Sequence, residues 1–120
     1  FRTEHSRRTL VRKVDFISAP GTSPPNVYRK GGPIALVTNR CLFAFDRVSR
    51  GFRLESVHPG HSVEEVLDNT GFHFARPAEV PMTRAPDAAT LRLLREVVAP
   101  ELSEVYPQFT EKVFGIKRAV

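Results

Sequence analysis

Three short apolar runs separated by two short turns constrain this chain more than any other feature. Ile34-Ala-Leu-Val-Thr38 is followed, after Asn39-Arg40, by Cys41-Leu-Phe-Ala-Phe45. After the turn Asp46–Gly51 comes Phe52-Arg-Leu-Glu-Ser-Val57. Runs of this length, rich in β-branched and aromatic residues and bounded by turn formers, read as strands. Connections this short join antiparallel neighbours, because a parallel crossover needs a dozen or more residues. The segment therefore predicts an antiparallel meander. Alternation in the last run sends Leu54 to one face and Arg53 and Glu55 to the other. Upstream, Val14-Asp-Phe-Ile-Ser18 reads as a further buried strand.

The connection from Ala19 to Asn26 contains three prolines and a glycine, which exclude regular structure. Long loops in compact domains tend to be functional or disordered. Downstream of the meander, His58-Pro-Gly60 breaks the pattern and Ser62 begins a helix. Ser62 and Glu65 have the spacing of a capping box. Val63, Val66 and Leu67 supply an apolar stripe, and Gly71 is placed to end the helix in the left-handed conformation. Phe72–Phe74 reads as a small edge strand, and residues 76–86, with Pro77, Pro81 and Pro86, as an extended linker. Asp87 caps a second helix over Ala88–Val98 with Leu91, Leu94 and Val98 on one face. Pro100 interrupts it, Glu101–Tyr106 forms further turns ended by Pro107, and Phe109, Val113 and Phe114 make a helical stripe in the tail. The division expected is a basic arm over 1–13, a core over 14–98 and a helical tail over 99–120.

The chain of 120 residues is 41% hydrophobic and 26% charged, which suits a folded core. No apolar run approaches the roughly 18 residues that span a membrane, so no membrane partner is expected. Phe1 stands where a Met would begin a chain, which suggests processing or trimming. The single cysteine, Cys41, lies in a strand and reads as a buried, inert thiol in a reducing cytoplasm. The net charge of +5 invites a nucleic-acid role. The basic residues weigh against it: Arg2, Arg7, Arg8, Arg12 and Lys13 lie at one end and Lys112, Lys117 and Arg118 at the other, as in solvated tails. His58 and His61 lack the further ligands of a metal site, so no metal is expected. Glu65 is taken up by capping, and Glu55 and Glu64 read as outward; no carboxylate has the apolar setting of a catalytic acid.

Four blocks in order carry a resemblance to a known family: Val14–Gly21, Gly32–Phe45, His58–Val66 and Asn69-Thr-Gly-Phe72. Over roughly Arg7–Val98 the chain resembles the later half of β subunits of family I CoA-transferases of the glutaconate CoA-transferase type. Within that family it is similar to the actinobacterial hydrolase β subunits that open the last ring of a cholesterol-derived CoA thioester. The resemblance implies an α/β fold, CoA-transferase-like, with a mixed sheet and flanking helices into which the meander fits. It implies a heteromeric enzyme with an α subunit as partner and an acyl-CoA as substrate, and no cofactor beyond the CoA of the substrate. The reaction implied is hydrolytic ring opening of a steroid-derived thioester or CoA transfer. The transferases' catalytic glutamate and glycine-rich oxyanion segment have no match in these residues, so no catalytic residue is assigned.

Against this background the loop before Ile34 holds the candidate binding residues. Arg29 and Lys30, beside Gly31-Gly32-Pro33, are placed to meet the phosphates of CoA, because charge-assisted bonds to phosphate are strong. The glycine pair itself serves turn geometry, its alternative being a backbone cradle for an anion. Ser18, Asn26 and Tyr28 are placed to line an acyl pocket, since loops at strand ends carry sites. The alternative function is a small basic module binding RNA or an acidic partner. A third reading, a non-catalytic piece docking its phenylalanines onto another subunit, overlaps with the first.

Overall fold

A computed structural model describes residues 1–116. Two compact units divide it, Phe1–Arg84 and Ala85–Val120. The expected tail residues Lys117 and Arg118 lie outside the described residues. The boundary thus falls ahead of Asp87, and the 1–13 segment belongs with the sheet.

The first unit contains the meander: β1 (Ala35–Val37), β2 (Cys41–Asp46) and β3 (Gly51–Val57), in that order and antiparallel. The β1–β2 turn is closed by the Thr38 amide donating to the Cys41 carbonyl at 2.9 Å. The Thr38 hydroxyl accepts from the amides of Arg40 and Cys41, each at 3.1 Å. Side chains alternate as expected at Cys41 and Phe43, both fully buried. In β3 the expected alternation holds from Arg53 to Glu55 and fails beyond it. Leu42 pairs with Ser56 and Phe43 with Leu54, leaving Glu55 as an unmatched bulge residue. The bulge turns both Ser56 and Val57 inward.

Helix α1 (Val63–Asn69) closes over the sheet. Its capping box is formed as expected: Ser62 Oγ accepts from the Glu65 amide and the Glu65 carboxylate accepts from the Ser62 amide. Val66 enters a core of Cys41, Phe43, Leu54 and Val57, with Leu36, Phe52, Val63, Phe74 and Val80 packed around it. Phe43 is the hub, with its ring 5.0 Å from Phe74 in an edge-on contact and 6.0 Å from Phe52.

Gly71 does not end α1 in a left-handed turn. The C-cap is Thr70 in an extended conformation. Gly71 is required by a close approach instead: a Cβ there would lie 2.4 Å from the Leu10 carbonyl oxygen, which accepts from the Gly71 amide at 2.7 Å. Phe72–Phe74 is not a strand; only Ala75 bridges, to Arg53. The Pro-rich stretch after it lies along β3, with the Val57 amide donating to Pro81 and the Thr83 amide to Val57.

Val14–Ser18 also departs from expectation. It has no strand partner among the described residues, and Phe16 is 82% exposed. Apolar, β-branched composition favours a strand only where another strand supplies hydrogen bonds, and β1 pairs with β2 alone.

The second unit is helical: α2 (Ala88–Leu93), a single wide π turn (Leu94–Val98), α3 (Ala99–Val105) and α4 (Pro107–Phe114). Asp87 caps α2 by accepting from the Thr90 amide at 2.8 Å. Pro100 does not interrupt the helical path. The π turn lets the Ala99 amide reach back to the Leu94 carbonyl, making room where a proline ring would meet the carbonyl four residues earlier. Gly115, at φ 70°, ends α4 in the left-handed conformation.

Candidate functional site

The topology brings two basic segments together at one end of the meander. Because β1 and β2 are antiparallel, with the Phe45 amide donating to Ile34 at 2.8 Å, the chain entering β1 lies beside the chain leaving β2. The entering chain is Arg29–Pro33, and the leaving chain is the turn that carries Arg47 and Arg50. Between them lies a pocket of about 180 Å³, walled by Gly21–Ser23, Arg29, the Gly31–Pro33 corner, Phe45, Arg47 and Arg50.

Each wall has a local cause. Gly31 and Gly32 both take positive φ, 89° and 131°, so the corner suits residues without a Cβ. A Cβ on Gly32 would lie 3.1 Å from the Gly21 carbonyl oxygen. The Arg29 guanidinium donates to the Pro20 carbonyl, which folds its side chain across the loop. In the β2–β3 turn, Asp46 accepts from the Val48 amide at 2.9 Å and from Ser49 Oγ at 2.7 Å. These bonds, the Ser49 hydroxyl foremost, hold the Asp46 carboxyl below its ordinary pKa. Arg47 and Arg50 take part in no ion pair among the described residues.

Of the candidate binding residues only Arg29 lines this pocket, together with the Gly31–Pro33 corner whose alternative reading is an anion cradle. Ser18, Asn26, Tyr28 and Lys30 are exposed along the same loop, and Lys30 Nζ sits 5.8 Å over the Tyr28 ring. Arg47 and Arg50 were missed because each reads as an ordinary turn residue. The signal available was the meander itself, whose register makes the β2–β3 turn a neighbour of the residues before β1.

Three of the four histidines hydrogen-bond within the chain. His5, expected in a solvated arm, is 2% exposed and links three elements. Thr70 Oγ1 donates to the Val66 carbonyl at 2.6 Å, so toward His5 Nε2, at 2.9 Å, it accepts. Thr38 Oγ1 accepts from two amides, and the acceptors near its own hydrogen are the Cys41 carbonyl at 3.3 Å and His5 Nδ1 at 2.9 Å. With Nε2 donating to Thr70, the neutral imidazole carries its proton on Nε2. Burial, followed by the charges of Arg40 and His61, pushes its pKa down. Cys41 lies beside it, fully buried, with its thiol pKa pushed up by burial; it is protonated at neutral pH and poorly nucleophilic.

His58 donates from Nε2 to the Thr38 carbonyl at 3.0 Å and accepts at Nδ1 from Thr83 at 2.8 Å. His61 faces Glu65 at 3.2 Å, and Arg40 approaches the other Glu65 oxygen at 3.6 Å. Glu55 pairs with Arg53 on the outer face of β3. Among the described residues no carboxylate is buried and no group of three or more His, Cys, Asp or Glu side chains is arranged to hold a metal. No helix among them is long and apolar enough to cross a membrane.

No protein-family model matches the sequence, but individual proteins do. The B subunit of the glutaconate CoA-transferase of Acidaminococcus fermentans is 33% identical over 104 residues, which cover 81% of this chain and 39% of that protein. The cholesterol ring-cleaving hydrolase IpdB subunit of Rhodococcus jostii is 37% identical over 101 residues, covering 81% of this chain and 40% of that protein. The crystal structure of Rhodococcus jostii RHA1 IpdAB superposes with a TM-score of 0.74 at 35% identity, over 82% of this chain and 42% of the matched chain. The chain spans about two-fifths of the length of the curated relatives it matches. The match includes the antiparallel sheet and its helices, so the expected CoA-transferase-like architecture is present. The likeness of sequence and that of fold lead to one conclusion: the chain is a homologue of part of the B subunits of CoA-transferase-like enzymes of the glutaconate CoA-transferase type.

Proposed function

We propose that this chain is part of the β subunit of a heteromeric CoA-transferase-like enzyme acting on an acyl-CoA. The reaction is hydrolytic ring opening of a steroid-derived CoA thioester, or CoA transfer. The observation that carries this reading is the identity of 33–37% over four-fifths of the chain to B subunits of both kinds. The RNA-binding alternative finds no support among the relatives.

An α-type chain is the partner. The relatives are themselves subunits of larger enzymes, which supports this, as does the apolar surface of the 14–34 loop, where Phe16, Ile17, Tyr28 and Ile34 are exposed. Exposed apolar patches of this kind mark interaction surfaces. Arg29 and Lys30 meet the CoA phosphates, and Ser18, Asn26 and Tyr28 line the acyl pocket. No catalytic residue is assigned within these 120 residues, and no cofactor beyond the substrate's CoA is used. A reducing, cytoplasmic setting suits the single buried thiol.

The test is co-expression with an α-type chain, followed by thioester assays on the purified assembly. Release of free CoA in water without a carboxylate acceptor marks hydrolysis; acyl-CoA formation only with an added carboxylate marks transfer. Failure to associate with any α-type chain, with no thioester turnover, would sink the reading.

A further inference from the structure

We propose that the pocket between the Gly31–Gly32 corner and the β2–β3 turn is a binding site for a phosphate-type dianion, anchored by Arg50, Arg47 and Arg29. Three arginines line one cavity, and no carboxylate lines it. Asp46, next to Arg47 in the sequence, has its oxygens engaged by Val48 and Ser49. Like charges brought together raise one another's energy unless an anion is shared between them. Guanidinium groups bind phosphate oxygens through paired N–H donors. Arg29 keeps donors beyond the one given to Pro20, since a guanidinium carries five.

A second, independent observation concerns the backbone. Arg50 is the one non-glycine residue with positive φ among the described residues, at 54°. An ordinary side chain is disfavoured there, and glycine is the residue the turn alone would select. Strain retained at a position of this kind points to a use for the side chain. Here that residue lines the pocket. Across from it, Gly31 and Gly32 present backbone without side chains, and Ser23 adds a hydroxyl.

The volume bounds the ligand. About 180 Å³ holds a single phosphate-sized group with a few waters of about 30 Å³ each, not a whole nucleotide. Assignment of that group to a phosphate of CoA rests on the proposed function; the anion site rests on the pocket alone.

The experiment is calorimetric titration of the full chain at low ionic strength with four probes: inorganic phosphate, CoA, dephospho-CoA and phosphate-free pantetheine. Three variants accompany it: Arg50→Gly, Arg47→Gln and, as a charge control outside the pocket, Arg76→Gln. Phosphate-bearing probes are expected to bind and pantetheine not to. Arg50→Gly and Arg47→Gln are each expected to weaken CoA binding roughly tenfold, as loss of a charge-assisted contact does. Arg76→Gln is expected to leave it unchanged. Because glycine accepts the Arg50 conformation, Arg50→Gly should unfold at the same temperature or higher, which separates lost binding from lost fold. Binding that survives both pocket variants, or falls equally in Arg76→Gln, or is absent from the unsubstituted chain, overturns the site. Inorganic phosphate binding as tightly as CoA keeps the anion site and overturns its assignment to CoA. Thioester turnover by the assembled enzyme with an unchanged KM in both pocket variants overturns the site while leaving the proposed function in place.

Discussion

The His5 edge of the sheet and the 14–34 loop belong to the same unit, yet they treat their side chains in opposite ways. At the His5 edge, the imidazole, two threonine hydroxyls and the turn amides hydrogen-bond to one another inside the chain. In the loop, Phe16, Ile17, Tyr28 and Ile34 lie exposed, and arginines face a pocket without counter-charge. The first region uses its interactions for its own stability. The second holds them for other molecules. A small domain that is firmly locked in one region can tolerate surface in another that is stabilised only on association.

Substitutions can break this contrast, and the largest effect is expected at the centre of the locked region. Phe43→Ala removes the hub of the aromatic core and should cost about 3–5 kcal/mol, read by denaturant unfolding. Gly71→Ala forces a Cβ against Leu10. It should cost about 2–3 kcal/mol, as overpacking against backbone does, and should free the N-terminal segment to proteolysis. Uncleaved, equally stable Gly71→Ala protein would contradict the tight docking of residues 1–13.

A smaller effect is expected from pH. The folded pKa of His5 is lowered by burial, so the unfolded chain takes up a proton at higher pH than the folded one. The contribution of neutral His5 is full above the ordinary value of about 6.5 and is lost as pH falls below it. Unfolding free energies measured at pH 7.5 and 5.5 should therefore drop toward acid, and His5→Gln should flatten that slope. The smallest effect should come from the loop. Phe16→Ser removes an exposed ring and should change the stability of the free chain by less than about 0.5 kcal/mol. The same substitution should weaken capture of an α-type partner in a co-purification assay. A large loss of stability in Phe16→Ser would place the loop with the locked region and end the contrast.

The residues themselves determined everything that depends on short spacing. The meander follows from alternating runs and two short turns, the capping box from Ser62 and Glu65 three positions apart, and the α2 cap from Asp87. The family likeness was carried by ordered blocks in the same stretches. Tertiary structure alone decided the rest. His5 meets partners 33 and 65 residues away. Gly71 is selected by Leu10, not by its own turn. Pro100 is absorbed by a widened helical turn, and Arg47 and Arg50 acquire meaning only beside Arg29 and the glycine corner. Val14–Ser18 has the composition of a strand without a neighbour to make it one. Pro100 apart, whose widened turn is itself local, the physical reason is common: helix caps and strand alternation are set by residues within one turn or one pleat. A buried hydrogen bond, a steric approach or a charge cluster exists only when distant segments meet, and that meeting is decided by packing.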